Sequence, residues 1–205
     1  MKHGKKHGKG VMKFRNGDIY TGSWENNMIN GEGTMVYSNG EKYHGLWVND
    51  RRNGLGTHHF RDTSRYEGQW LNDDMEGLGT FYYRNGSVYQ GEWSANRRTG
   101  SGILSGVTGN AFHGEWRDDK KHGAGVVHYK GGVHERLVGK WENDKMSGWG
   151  TMLNRNGDRS LSPSLPPSSL PLSPPPRLSL SPPSLSLFLS RSRILSQCST
   201  ATATG

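Results

Sequence analysis

The stretch from Tyr20 to Lys42, YTGSWENNMINGEGTMVYSNGEK, sets a pattern that recurs along most of the chain. Six of the seven tryptophans follow one another at intervals of 23, 23, 23, 23 and 25 residues. Glycine stands two residues before each of them, and Tyr, Phe or, in the last copy, Leu stands four residues before it. Two more glycines follow each Trp at distances of seven and nine residues. Self-similarity at a fixed period of this length is the signature of a tandem repeat. The six tryptophans are Trp24, Trp47, Trp70, Trp93, Trp116 and Trp141.

Within each copy the bulky residues are spaced by two, which is the period of a β-strand. Tyr20, Gly22 and Trp24 therefore point to one face of a strand, and Met35 and Tyr37 continue the same period after the second glycine pair. Glycine inside a strand often marks the close approach of another group. We therefore expect aromatic rings of one strand to lie over glycines of its neighbours, which gives a thin aromatic–glycine core.

Two turn segments close each copy. The segment after Trp is rich in Asn and Asp, which accept left-handed backbone conformations. The other segment carries Asn-Gly, a strong hairpin signal, in four copies. Each copy is therefore predicted to be a β-hairpin that contacts only its neighbours, so the fold class is all-β, an elongated single-sheet solenoid. The Asn-Gly pairs are Asn16-Gly17, Asn39-Gly40, Asn85-Gly86 and Asn156-Gly157.

These columns resemble the MORN repeat, whose pattern is about YxGxWxxxxxxGxGxxxxxxGxx. The resemblance covers residues 7–158 and implies tandem β-hairpins: a partial first hairpin over 1–19 and six repeats over 20–158, starting at residues 20, 43, 66, 89, 112 and 137. Three departures are local. Asp62-Thr63 replaces Asn-Gly, and Gly106 stands where an aromatic residue is usual. Two extra residues near His134–Arg136 predict a bulge or a longer loop.

The composition changes sharply at Arg159. Residues 159–205 hold all 9 Pro, 14 Ser and 10 Leu, whereas residues 1–158 hold all 18 acidic residues. Proline at this density is incompatible with the interior of a helix or strand, so we predict a disordered tail over 159–205. Both ends interrupt the repeat in mid-hairpin, and Leu-Ser-Pro alternation is what pyrimidine-rich DNA encodes. These features indicate intron read-through or an alternative last exon, and the alternative is an evolved Ser/Pro-rich tail.

Several functional classes find no support in the sequence. The lone Cys198 excludes an internal disulfide framework and a Cys-rich zinc site. None of the nine His forms a ligand pair with a third ligand, and no nucleophile or phosphate-loop motif occurs. We therefore predict no enzyme activity, with no catalytic, metal-binding or cofactor-binding residue. The net charge of +8 divides equally between residues 1–158 and the tail, and its interspersed signs favour no nucleic-acid partner.

The sequence also has neither a signal peptide nor a run of apolar residues long enough to span a membrane.

Basic pairs recur four and five residues after the Trp column. We expect them at one row of hairpin tips, about 10 Å apart along the sheet, where they form a broken basic ridge. This ridge is predicted to bind an acidic partner, either phosphoinositide headgroups or acidic cytoskeletal tails. The alternative is that solvated tips simply tolerate cations. The residues are Lys5, Lys6, Arg51, Arg52, Arg97, Arg98, Lys120 and Lys121.

The resemblance supplies the functional expectation. MORN proteins without a catalytic domain look like scaffolds of radial spokes, flagellar collars and cell-division rings. It therefore implies a non-catalytic scaffold or protein-interaction module with protein partners, in the cytoplasm on the cytoskeleton of a cilium, flagellum or cell cortex. Two alternatives are a phosphoinositide-binding membrane adaptor and a severed regulatory arm of a lipid kinase or SET methyltransferase.

A self-association edge is also predicted. The strand over Gly148–Asn154 is expected to be unpaired on one side, with Trp149 and Leu153 pointing outward. Unpaired apolar edges recruit further strands, so a homodimer is predicted there.

Overall fold

The computed structural model describes residues 4–132 and 134–163. These residues form one antiparallel sheet of 14 strands, each paired with the next in chain order. The prediction of an all-β, single-sheet fold is confirmed. Within the described residues, no helix is long and apolar enough to cross a membrane. The strands are β1 (Gly8–Lys13), β2 (Ile19–Glu25), β3 (Met28–Val36), β4 (Lys42–Val48), β5 (Arg51–His59), β6 (Arg65–Leu71), β7 (Asp74–Tyr82), β8 (Val88–Ser94), β9 (Arg97–Ser105), β10 (Ala111–Arg117), β11 (Lys120–His128), β12 (His134–Glu142), β13 (Lys145–Asn154) and β14 (Arg159–Pro163).

One face of the sheet, the ring face, carries the core. The tyrosines that open the first four full repeats are fully buried: Tyr20, Tyr43, Tyr66 and Tyr89. Tyr43 packs edge-to-face between its own Trp47 and Trp70 of the next repeat, with ring centroids 5.0 and 5.4 Å away. The arrangement recurs along the array, and perpendicular aromatic pairs of this kind stabilise beyond the area they bury. A single sheet thus obtains a core by overlapping the rings of consecutive hairpins.

The two glycines of each GxG pair serve different purposes. A Cβ on the second glycine, Gly79 for example, would overlap the Tyr66 ring, so the expected packing of rings over glycine is confirmed there. The first glycine, Gly77, has φ +65°, a backbone conformation that residues with a Cβ rarely adopt. It lies in a β-bulge, opposite the point where the β6–β7 register shifts between Gly68 and Trp70.

The two rows of turns differ, and they define two edges of the sheet. At the tip edge, which joins β2 to β3 and its equivalents, both residues of each two-residue turn have positive φ, as in a type I′ turn. At the loop edge, which joins β1 to β2 and its equivalents, only one described residue of each loop has positive φ. Gly17 is an example, and its N–H donates to the Phe14 carbonyl. Thr63 occupies that position with φ +73°, a strained conformation for a β-branched residue.

The C-terminal part of the sheet differs from expectation in one respect. Residues 159–163 belong to the predicted disordered tail, yet they form β14, which pairs with β13 from Trp149 to Leu153. Edge strands and strand ends tolerate proline, so Pro163 does not prevent this pairing. The register also shifts between His134 and Arg136, which confirms the bulge expected there. Residues 164–205 lie outside the described residues.

Candidate functional site

The tip edge carries a reciprocal clasp between consecutive repeats. Asp73 is the second residue of the turn between β6 and β7, and its backbone N–H donates to the Arg52 carbonyl over 3.1 Å. The Asp73 side chain in turn accepts the Arg52 N–H over 3.0 Å. Only Asn or Asp combines a short acceptor with tolerance of positive φ, which explains the turn composition. The six clasps are Asn27–Lys6, Asp50–Ile29, Asp73–Arg52, Asn96–Met75, Asp119–Arg98 and Asp144–Lys121.

The second member of each predicted basic pair turns onto the ring face. The Arg52 guanidinium lies 4.2 Å from the Trp70 ring centroid and pairs with Asp73 at 3.1 Å. Arg98 repeats this arrangement with Trp116, at 4.3 Å, and with Asp119. Stacking of a cation on an indole adds to its ion pair. These side chains are therefore structural, and the expectation that the tips are wholly solvated is wrong for them.

Two lysines take the same place over a tryptophan. Lys6 lies 4.6 Å from the Trp24 ring centroid, and Lys121 lies 5.2 Å from that of Trp141. Burial lowers the pKa of the Lys121 ammonium below its ordinary value. Four of the eight residues assigned to the ridge thus take part in the repeat contacts.

The first members of the pairs remain on the opposite, back face and are exposed. Arg97 pairs with Asp118 at 2.9 Å between exposed side chains. None of Lys5, Arg51 and Lys120 makes a side-chain hydrogen bond or ion pair with any residue that the structure describes. Successive residues of a strand point to opposite faces, which explains why each pair is divided. Of the eight ridge residues, Lys5, Arg51, Arg97 and Lys120 are thus the exposed ones, and binding of an acidic partner by the ridge stays a prediction.

His58 is a buried polar residue on the ring face. Its side chain is 4% exposed. Arg52 Nη1 approaches His58 Nδ1 at 3.0 Å, and His58 Nε2 approaches Glu41 at 3.2 Å. A guanidinium only donates, so Nδ1 accepts and Nε2–H donates to the carboxylate. A signal was available, because the same column holds Met35 and Phe81 in the neighbouring repeats.

The environment of His58 opposes its protonation. Burial lowers its pKa below the ordinary 6.5, the hydrogen bond to Glu41 raises it in part, and the charge of Arg52 lowers it. A proton on Nδ1 would also break the hydrogen bond from Arg52. The neutral imidazole is thus the form that satisfies the hydrogen bonds to both Arg52 and Glu41.

The loop edge carries a second basic row that the sequence interpretation missed. Arg or Lys stands at one recurring position near the start of five of these loops, and all five are exposed: Arg15, Arg61, Arg84, Lys130 and Arg155. An aromatic residue precedes four of these cations: Phe14, Phe60, Tyr83 and Tyr129. The sequence did contain a signal for this row, because these cations recur with the same 23-residue period as the Trp column, apart from a longer last interval.

The predicted self-association edge is covered on the side expected to be open. β14 pairs with β13, so Trp149 lies opposite Pro163 rather than at an open edge. Trp149 remains 39% exposed on the back face. Dimerisation through Trp149 and Leu153 stays a prediction, which light scattering of the wild type and of Trp149→Glu would test.

With these contacts established, the family can be assigned. A family model described as "MORN repeat" matches residues 1–19, 20–42, 43–65, 66–88, 89–111, 112–133 and 138–159. The chain belongs to the MORN-repeat family. The resemblance drawn from the Tyr, Gly and Trp columns is therefore confirmed, and the clasps and ring contacts described above are those of a MORN array.

Solved structures resemble this MORN array only broadly. The Drosophila melanogaster SAS-4 (dCPAP) TCP domain, solved with a proline-rich motif of Ana2 (dSTIL), is 15% identical, with 75% of this chain and 83% of that chain covered and a TM-score of 0.49. The Danio rerio CPAP TCP10 domain, in complex with a STIL peptide, is 12% identical, with coverages of 78% and 83% and a TM-score of 0.39.

A CPAP G-box domain is 9% identical, with coverages of 76% and 98% and a TM-score of 0.31. Likenesses this low carry no information on what the MORN array binds. A search of curated proteins found no match.

The ionisable side chains of the MORN array are dispersed. No group of three or more His, Cys, Asp or Glu within residues 4–132 and 134–163 is arranged to hold a metal ion. His113 and His128 approach each other with ring centroids 4.6 Å apart, without a third ligand among the described residues. What the array offers instead is two edges with side chains repeated at constant intervals, a geometry suited to extended partners.

Proposed function

We propose that this MORN array is a non-catalytic scaffold that holds partner proteins on a cytoskeletal structure of a cilium, flagellum or cell cortex. The family match supports an interaction module. The continuity of the sheet supports the scaffold role, because 14 strands at a spacing of about 4.8 Å extend for roughly 60 Å along the sheet.

The clasps are the observation on which this proposal chiefly depends. Each of the six tip turns is joined to the preceding repeat by two reciprocal hydrogen bonds, from Lys6–Asn27 to Lys121–Asp144. Links at every repeat boundary restrict bending between neighbours, so binding sites on different repeats keep a fixed spacing. A fixed spacing is what a scaffold needs.

Endogenous tagging in ciliated cells tests the proposal. We expect the tagged chain on the axoneme or cortex, where it resists detergent extraction. A matched Gly79→Val variant, which clashes with the Tyr66 ring, should lose this location because the array no longer folds. A diffuse, fully extractable wild type would contradict the proposal.

A second candidate function, binding to anionic membranes, is favoured by the back face at the tip edge. Arg51 lies opposite Val48, which is 45% exposed, and Leu71 on the next hairpin is 51% exposed. Cations beside exposed apolar residues suit a lipid headgroup region. Sedimentation with phosphoinositide-containing liposomes tests it, and loss of binding in an Arg51→Glu/Lys120→Glu variant is expected if the tips are responsible.

A further inference from the structure

At the tip edge four of the eight ridge cations lie over tryptophan rings, whereas no described cation of the loop edge does so. Within the described residues, no hydrogen bond, ion pair or ring contact involves the side chains of Arg15, Arg61 or Arg155. Arg84 makes no hydrogen bond or ion pair there, and its charge acts on the nearby Asp62, whose carboxyl pKa is lowered chiefly by hydrogen bonds from Ser64. These guanidinium groups are therefore exposed and available to an external anion.

Two acidic residues of these loops bond inward and are partly covered. Asp18 accepts the Ser38 N–H over 2.8 Å, and Glu41 accepts the hydrogen bond from His58. Asp62 accepts the Ser64 N–H over 2.9 Å but remains exposed beside Arg61. The five exposed cations of this edge outnumber the exposed carboxylates of its loops, Asp62 and Asp158, so its outer surface stays basic.

Beside Arg61 and Arg84 the ring face presents half-buried aromatic rings in mutual contact. Phe60 stacks on Phe81 with centroids 5.5 Å apart, and Phe81 contacts Tyr83 at 4.6 Å. We call these five residues the loop-edge patch. It combines an apolar floor with two free guanidinium groups at its rim, and guanidinium is well suited to bind carboxylates.

The spacing of the patch selects the form of the ligand. Arg61 and Arg84 occupy consecutive loops, which lie two strands or about 10 Å apart. A chain in the polyproline II conformation rises about 3.1 Å per residue with three residues per turn, so every third side chain returns to the same side after about 9 Å. Carboxylates three residues apart would therefore meet successive arginines.

From this geometry we propose that the loop-edge patch binds an extended acidic segment of a partner protein, with carboxylates at every third position on Arg61 and Arg84 and an apolar side chain on the Phe60–Tyr83 floor. The inference deepens the proposed scaffold function and rests on it, since it names the chemistry of the partner. Acidic segments repel themselves and remain extended, which suits this surface.

Fluorescence anisotropy with the purified full chain tests the proposal. The probe is a short labelled peptide with Glu at every third position and Pro and Leu between, and its control has the same composition with the Glu residues clustered. We expect the spaced peptide to bind about tenfold more tightly than the clustered one, and its binding to weaken with salt. Equal binding of the two peptides, or no binding, would overturn the proposal.

Matched charge reversals locate the site. Arg61→Glu/Arg84→Glu should weaken binding of the spaced peptide by about tenfold or more. Lys9→Glu/Lys140→Glu makes the same change in net charge at two exposed lysines away from the loop edge, unpaired within the described residues, and should leave binding nearly unchanged. Equal losses in both variants would show attraction by net charge alone and overturn the proposal. Circular dichroism and melting of both variants confirm that the sheet is intact.

Two further ligands complete the experiment. Tighter binding of oligothymidylate, or of phosphatidylserine vesicles, than of the spaced peptide at the same patch would assign it to another ligand and overturn the proposal. The assay uses purified components, so its failure leaves the cytoskeletal location standing. A diffuse location in cells likewise leaves a positive peptide result standing.

Discussion

At the tip edge, Arg52 lies over Trp70 and pairs with Asp73, whereas at the loop edge Arg61 is exposed and makes no side-chain hydrogen bond, ion pair or ring contact with a described residue. Both arginines belong to the same repeat architecture. The difference arises from the position of each arginine relative to the paired strands. Arg52 is inside β5 with its side chain on the ring face, while Arg61 follows Phe60 in the loop after β5 and is exposed to solvent.

The contrast teaches that a basic residue repeated at a fixed period is not automatically a binding residue. At the tip edge the Asn or Asp clasp joins all six pairs of repeats, and at four of them a cation over the next Trp adds to it, with Ile29 and Met75 in its place at the other two. At the loop edge no such contact requires a cation, and Ser38 and Val107 take its place in two loops. The loop-edge patch is therefore the better candidate for recognition, although it is absent from the most obvious sequence pattern.

The largest expected effect comes from removing a ring at the tip edge. Trp70→Ala should reduce the free energy of unfolding by about 3–5 kcal/mol, because the indole is buried, packs edge-to-face with Tyr43 and lies under the Arg52 guanidinium. Phe60→Ala at the loop edge should cost less, about 1–2 kcal/mol, since that ring is only half-buried. Urea denaturation measures both, and equal losses would contradict the distinction between the edges.

The next effect concerns the arginines themselves. Arg52→Ala should destabilise the array by about 1–2 kcal/mol, after allowing for the partial exposure of its partner Asp73. Arg61→Ala and the adjacent Arg51→Ala should each stay within about 0.5 kcal/mol. A loss for Arg61→Ala as large as that for Arg52→Ala would show that the loop-edge cations are structural as well.

A pH dependence should come from His58. Its pKa is lower in the folded state than the ordinary 6.5, chiefly because of burial. The unfolded chain therefore takes up the proton at higher pH than the folded chain, and stability should fall as pH decreases through about 6.5 towards the folded pKa. His58→Phe, which copies Phe81 of the next repeat, removes the titrating group. If thermal melts of this variant keep the full wild-type slope between about pH 7 and pH 5, another group is responsible.

The smallest effect concerns Thr63, which has φ +73° in a loop whose equivalents carry Gly17, Gly40 and Gly86. Thr63→Gly should raise the free energy of unfolding by about 0.5–1 kcal/mol, because glycine adopts this conformation without a Cβ clash. The reverse change, Gly86→Thr, should lower it by a similar amount. Stabilisation absent from the first, or destabilisation absent from the second, would indicate that these loops relax without strain.

Much of the fold could be predicted from the sequence because the determining contacts are local and repeated. The period of two in Tyr20, Gly22 and Trp24 is a direct consequence of strand geometry. The hairpin unit follows from turn residues at fixed offsets. The sequence could not separate the roles of Gly77 and Gly79, however, because a positive φ and a ring contact both require glycine.

The pattern of columns alone determined the all-β class, the hairpin unit, the rings over glycine and the family. Only the tertiary structure decided which cations are free, because strand alternation divides each basic pair but does not show that one guanidinium reaches the Trp ring and the Asp of the next repeat. It likewise decided that β14 pairs with β13 and that His58 is buried between Glu41 and Arg52, since these contacts join separate hairpins. A repeated sequence pattern predicts the contacts that all repeats share. It does not predict side-chain contacts between hairpins at positions where the repeats differ, as at His58.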